Sequence, residues 1–133
     1  MGPASARSRG ALLTVVFFAA SGVLEVVLGF VDTPSPGFDS LWEALGRALL
    51  HGLLAAGLWR GYALCRTLAF VYCLAALVTY AVVLVLALWG APVPFPPSVV
   101  VLSLFQVPSC VLLLPWLRSA AAAKAFPRPL LGR

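Results

Sequence analysis

Residues 67–117 read TLAFVYCLAALVTYAVVLVLALWGAPVPFPPSVVVLSLFQVPSCVLLLPWL, and none of these 51 residues carries a formal charge. A helix crossing a bilayer needs about 20 apolar residues at 1.5 Å rise each. The stretch is long enough for two crossings and a turn. The turn is Gly90-Ala91-Pro92-Val93-Pro94-Phe95-Pro96-Pro97, because clustered prolines cannot continue a helix. Helices are therefore predicted over about 66–89 and 98–117. The whole composition agrees. Of 133 residues, 62% are hydrophobic and 10% are charged, against about 25% charged in soluble domains. A soluble domain of this size has too little interior to hide that much apolar surface.

The first half extends the pattern. From Ala11 to Val31 the chain is apolar except for Thr14, Ser21 and Glu25, and it ends at Asp32-Thr33-Pro34-Ser35-Pro36-Gly37, a turn by composition. A second helix is predicted over about 41–60, with Ser40 as N-cap and Glu43 completing a capping box. Arg60-Gly61-Tyr62-Ala63-Leu64-Cys65-Arg66 makes the return. The expected fold is an all-α, four-helix transmembrane bundle, antiparallel up and down because the loops are short. Residues 1–10 precede the bundle, 11–118 form it, and 119–133 form a tail expected to extend helix four until a proline stops it.

Charge sets the expected orientation. Eight of the nine basic residues (Arg7, Arg9, Arg60, Arg66, Arg118, Lys124, Arg128 and Arg133) fall on one side of the predicted bundle. The positive-inside rule puts both termini in the cytoplasm. Trp42 and Trp89 fall at the outer ends of their helices and Trp59 and Trp116 at the inner ends, as an aromatic belt requires. The net charge of +5 is this asymmetry. It points to anionic lipid headgroups as the partner rather than nucleic acid. Arg7 and Arg9 followed by an apolar run and Ala19-Ala20-Ser21 also fit a cleaved signal peptide, but the run continues to Val31, which favours a retained helix. Met1-Gly2 with Ala6 does not make a myristoylation motif.

Ionisable groups inside a membrane segment are functional hypotheses by default. Glu25 lies six residues inside the outer end of helix one, and Arg47 lies six residues inside the outer end of helix two. At 1.5 Å per residue both sit about 9 Å deep. An intramembrane ion pair is expected between them, either as structural glue or as a transport site. Glu43, Arg47 and His51 recur at i, i+4, i+8 and share one face, expected to look into the bundle. At the depth of His51, the side chains of Ser21, Thr79, Tyr80 and Gln106 are candidates for a mid-membrane polar layer. His51 is the single histidine, and Cys65, Cys73 and Cys110 have no C-x-x-C spacing and are placed at different depths. No metal and no cofactor is expected, and the cysteines read as small apolar residues. Gly57-Leu58-Trp59-Arg60-Gly61 is a G-x-x-x-G pattern for close helix contact or dimerisation, with Gly61 alternatively ending helix two. Pro108 is expected to kink helix four. No nucleophile elbow, phosphate loop or H-E-x-x-H is present, so no enzyme is expected.

Two resemblances bear on function. Leu58-Trp59-Arg60-Gly61, Cys65-Arg66-Thr67-Leu68-Ala69, and Leu113-Leu114-Pro115-Trp116-Leu117-Arg118-Ser119 with Phe126 resemble small uncharacterised four-helix proteins of the bacterial inner membrane. That implies the bacterial cytoplasmic membrane and the four-helix fold, and no activity. Leu24-Glu25-Val26-Val27-Leu28-Gly29 is similar to the glutamate segment of the small multidrug-resistance exporters. It departs from them in the arginine available at the same depth and in lacking their other helix signatures. The expected function is a multi-pass, non-enzymatic membrane protein acting through helix contacts, as an accessory subunit or homodimer. The alternative is a small proton-coupled exporter with Glu25 as its titrating site.

Overall fold

A computed structural model of the chain describes residues 8–31, 38–90 and 97–129. The expected turns at 32–37 and 91–96, and the residues before 8 and after 129, lie outside this range. The structure is all-helical, with α1 (Arg9–Val31), α2 (Phe38–Arg60), α3 (Ala63–Leu88), α4 (Pro97–Arg118) and a short α5 (Ala120–Ala125). Among the described residues there is no strand. α1, α3 and α4 are each long and apolar enough to cross a membrane. α2 matches them in length, but Glu43, Arg47 and His51 make it the least apolar of the four.

The helix bounds differ from the predicted ones by up to three residues, and each difference has a local cause. α2 begins at Phe38, so Ser40 sits inside the first turn and is not the N-cap; its side chain lies outside the described residues. Between α2 and α3 only Gly61 and Tyr62 remain, with Gly61 at φ +83°. This left-handed conformation is open to glycine without a Cβ penalty. α3 ends at Leu88, capped by Trp89 and followed by Gly90 at φ +70°. α4 starts on Pro97, at the first helical position, where the missing N–H costs nothing. It tolerates Pro115 as well as the anticipated Pro108.

Consecutive helices run antiparallel. On α1 and α2, Gly22 faces Ala48 and His51, Glu25 meets Arg47, and Gly29 faces Ala44, so later residues of one helix meet earlier residues of the other. A Cβ on Gly22 would stand 3.2 Å from His51 Cβ and 3.3 Å from the Ala48 carbonyl oxygen. Small residues thus bring these two backbones close. α3 packs against α4, and Ala69, Cys73 and Ala76 are buried on α3. The α2–α3 seam is the lightest of the four along the ring. The core is Phe17, Phe18, Leu54, Leu58, Cys73, Cys110, Leu113 and Leu117 with their neighbours.

The tail does not extend α4. Ser119 breaks the helix and caps α5, accepting from the Ala122 N–H at 3.2 Å. α5 then turns the chain back across the base of the bundle. Phe126 is buried edge-on against Trp116. The Arg128 N–H donates to the Gly61 carbonyl at 2.9 Å, and the Ala63 N–H donates to the Arg128 carbonyl at 2.8 Å. The end of the described chain is stapled to the α2–α3 turn. The G-x-x-x-G pattern is used within the same region: Gly57 is buried, and a Cβ there would collide with Cys65 Sγ.

Candidate functional site: polar contacts between helices and a lateral cleft

Arg47 Nε donates to Glu25 Oε2, joining α2 to α1. The two ends of this pair are unequal. The Glu25 side chain is 2% exposed, whereas that of Arg47 is 53% exposed. Arg47 also approaches Glu43, at 3.7 Å, whose side chain is 73% exposed. The expectation that Glu43, Arg47 and His51 all face the interior is corrected here. The 3.6-residue turn carries an i, i+4, i+8 row slowly around the helix axis. The row enters the bundle at His51, which is 1% exposed, and leaves it at Glu43.

The His51 ring fixes its own tautomer. Nδ1 lies 2.7 Å from the Arg47 carbonyl oxygen, which can only accept, so Nδ1 carries the proton. In the neutral imidazole Nε2 then accepts, and its partner at 2.7 Å is the Tyr72 hydroxyl. This bond joins α2 to α3. Tyr72 was not among the sequence candidates. The signal was present: Tyr72 lies nine residues into α3 and His51 nine residues before the end of α2, the same distance from the turn that joins them, whereas the outer helix ends point to Tyr80. Tyr80 is half-buried and Thr79 is exposed; neither reaches His51 by a hydrogen bond.

Ser21 and Gln106 meet at the α1–α4 seam, where Gln106 Nε2 donates to Ser21 Oγ at 3.2 Å. Cys110 Sγ donates to Gln106 Oε1 at 3.9 Å. Counted from the basic end, Cys73 lies ten residues into α3 and Cys110 eight residues into α4, about 15 and 12 Å by helical rise. Three seams carry a side-chain polar contact between helices: Glu25–Arg47, His51–Tyr72 and Gln106–Ser21. No buried side-chain polar atom among the described residues lacks a partner. An unpaired polar group in hydrocarbon would be expensive.

The light α2–α3 seam leaves a cleft of about 270 Å³, lined by Glu25, Arg47, His51, Tyr72, Thr79 and Tyr80 with alanines and Leu50. It collects both predicted ionisable groups and most of the predicted polar layer; Ser21 and Gln106 lie outside it. Among the described residues no group of three or more His, Cys, Asp or Glu could hold a metal ion. Comparison with known proteins adds no assignment: no family model, no curated protein and no solved structure matches the chain.

Proposed function

We propose that the chain is a non-enzymatic integral membrane protein that crosses the bilayer four times, with both termini cytoplasmic, and docks a partner membrane helix on α2. The observation that carries this reading is the half-exposed Arg47. A guanidinium on the lateral face of an apolar bundle faces lipid unless something polar covers it, and lipid is a poor solvent for it. The flank of α2 beside it is shaped for close approach. Gly46 and Gly52 have open space where a side chain would stand, and Leu49 and Leu53 are exposed around them. A partner helix with a polar residue at the depth of Arg47 would complete its hydrogen bonds. Arg9, Arg60, Arg66, Arg118, Lys124 and Arg128 gather at one end of the bundle, which supports a cytoplasmic placement against anionic headgroups. The bacterial inner membrane suits this arrangement.

A photoreactive residue at Leu49 tests the docking face in the native membrane. The expected result is one adduct of fixed mass, lost in Arg47→Gln and absent when the probe sits at exposed Val111 on α4. A second copy of this chain as the captured species makes the protein a homodimer through α2. Lipid adducts alone at Leu49 overturn the reading.

A second reading rests on the burial of Glu25 beside an open cleft: a proton-coupled exporter in which this carboxylate titrates. It requires Glu25 to release Arg47 during turnover. In reconstituted vesicles, Glu25→Gln would then abolish flux driven by a pH gradient while the protein stays folded. Flux unchanged in Glu25→Gln removes this alternative.

A further inference from the structure

The returning tail brings a third arginine to a turn that already has two. Arg60 ends α2 and Arg66 lies in the first turn of α3, either side of Gly61 and Tyr62. Arg128 arrives from the far end of the described chain. Its backbone pairs with Gly61 and Ala63. Its side chain lies along the turn, with Cδ 4.0 Å from where a Cβ on Gly61 would stand. Arg60 and Arg128 are exposed, and Arg66 is half-buried. Among the described residues the ion pairs are those of Arg47 with Glu25 and Glu43, in the other half of the bundle, and none reaches this cluster. Like charges gathered at one place repel and attract an anion. A guanidinium cannot relieve the repulsion by losing its proton.

Location decides which anion. The cluster stands where α2 and α3 meet, beside the exposed Trp59, at the level where tryptophans border headgroups. Guanidinium forks match the oxygens of a phosphate. A phosphocholine headgroup also carries an ammonium, which the arginines repel, so an anionic phospholipid suits the cluster better. We propose that Arg60, Arg66 and Arg128 clasp the phosphate of one anionic phospholipid, and that this lipid fastens the tail to the α2–α3 turn. The inference rests on the reading that the basic end meets the headgroups of a bilayer, and it uses neither Arg47 nor the cleft. The bound phosphate offsets the repulsion that pushes Arg128 off the turn, and so keeps the basic end of the lightest seam shut. Without it the tail loosens and α2 and α3 are freer to part.

The test uses the full chain in vesicles of phosphatidylcholine, with and without phosphatidylglycerol. It follows hydrogen exchange at the Ala63 and Arg128 amides, which make the two backbone bonds of the strap. Symmetric vesicles remove any dependence on the direction of insertion. Both amides are expected to exchange about tenfold more slowly with phosphatidylglycerol, the gain that one or two basic residues make at an anionic surface. Inorganic phosphate added to phosphatidylcholine vesicles is expected to give no such protection. Arg128→Gln, which keeps the backbone bonds and Phe126, is expected to lose the response to phosphatidylglycerol. Arg9→Gln, which removes an equal charge from the start of α1, is expected to keep it. Equal exchange in the two lipids, equal protection by inorganic phosphate, or an equal loss in Arg9→Gln each overturn the proposal. A chain that floats with neither vesicle overturns the membrane reading as well, whereas one that floats and exchanges alike in both lipids overturns the clasp alone.

Discussion

An ionised carboxylate taken out of water costs several kcal/mol unless a partner and hydrogen bonds replace the lost solvation. Glu25 gets this from Arg47, and the unequal burial of the two side chains makes their contributions unequal. Arg47→Gln strands a buried carboxylate, with an expected loss of about 3 kcal/mol in folding stability. Glu25→Gln leaves a guanidinium that can still turn toward the headgroups, and the expected loss is about 1 kcal/mol. Thermal unfolding of both variants and the double variant in mild detergent measures this asymmetry and the coupling. Equal losses that simply add would mean the pair is not the anchor. His51 depends on Tyr72 in the same way. Tyr72→Phe removes the proton that Nε2 accepts, and a loss of about 1 kcal/mol is expected, while Tyr80→Phe should leave stability near wild type. Legibility was uneven at this scale. The Glu25–Arg47 level came from counting residues in from two helix ends. Tyr72 escaped because the outer helix ends fix depth less closely than the two-residue turn at the inner end, and a residue count says nothing of the direction in which a side chain points.

Among the elements, α1 and α2 have the tightest seam, and glycine is the reason. Gly22 and Gly29 lie one heptad apart on the α1 face that meets Ala44 and Ala48. Gly22→Val would drive a branched side chain into His51 and the Ala48 carbonyl. An expected loss of about 2 kcal/mol follows from overpacking, and the displaced His51 should loosen Tyr72 with it. Gly46→Val, on the open flank of α2, is the control and should keep or slightly raise stability, because valine is a better helix former than glycine; an equal loss at both positions would remove the packing explanation. α4 carries two prolines inside its span. Ser109 Oγ donates to the Phe105 carbonyl at 2.7 Å one residue after Pro108. The bounds of these elements were readable to within three residues, because Gly61, Gly90 and Pro97 punctuate the chain in ways that depend on backbone sterics alone.

The whole molecule is closed at its basic end by its own tail. Phe126 is buried at 2% exposure, and Arg128 pairs in both directions with the α2–α3 turn. The strap therefore couples the end of α4 to the lightest seam of the bundle. Phe126→Ala is expected to cost about 3 kcal/mol, within the range for a large buried aromatic. It should also raise hydrogen exchange at the Ala63 amide, which loses the geometry of its bond to Arg128. A cost near zero with unchanged exchange would show the tail to be a passive appendage. The strap was hidden in the sequence. An alanine-rich run after a helix reads as more helix, and only the Ser119 cap and the burial of Phe126 turn it back.

The sequence by itself determined that the chain is helical, the bounds of its four long helices to within three residues, and that α1, α3 and α4 are apolar enough to cross a membrane. Those properties depend on composition and on backbone rise, which are local. Only the tertiary structure decided how each helix is turned about its axis: Tyr72 rather than Tyr80 on His51, Thr79 outward, Glu43 outward, Cys110 onto Gln106. In a soluble helix the alternation of polar and apolar residues reveals the inward face. In these helices both faces are apolar, so that signal is nearly absent. The rotation is set instead by where small residues let backbones touch and by polar groups finding partners far away in the chain.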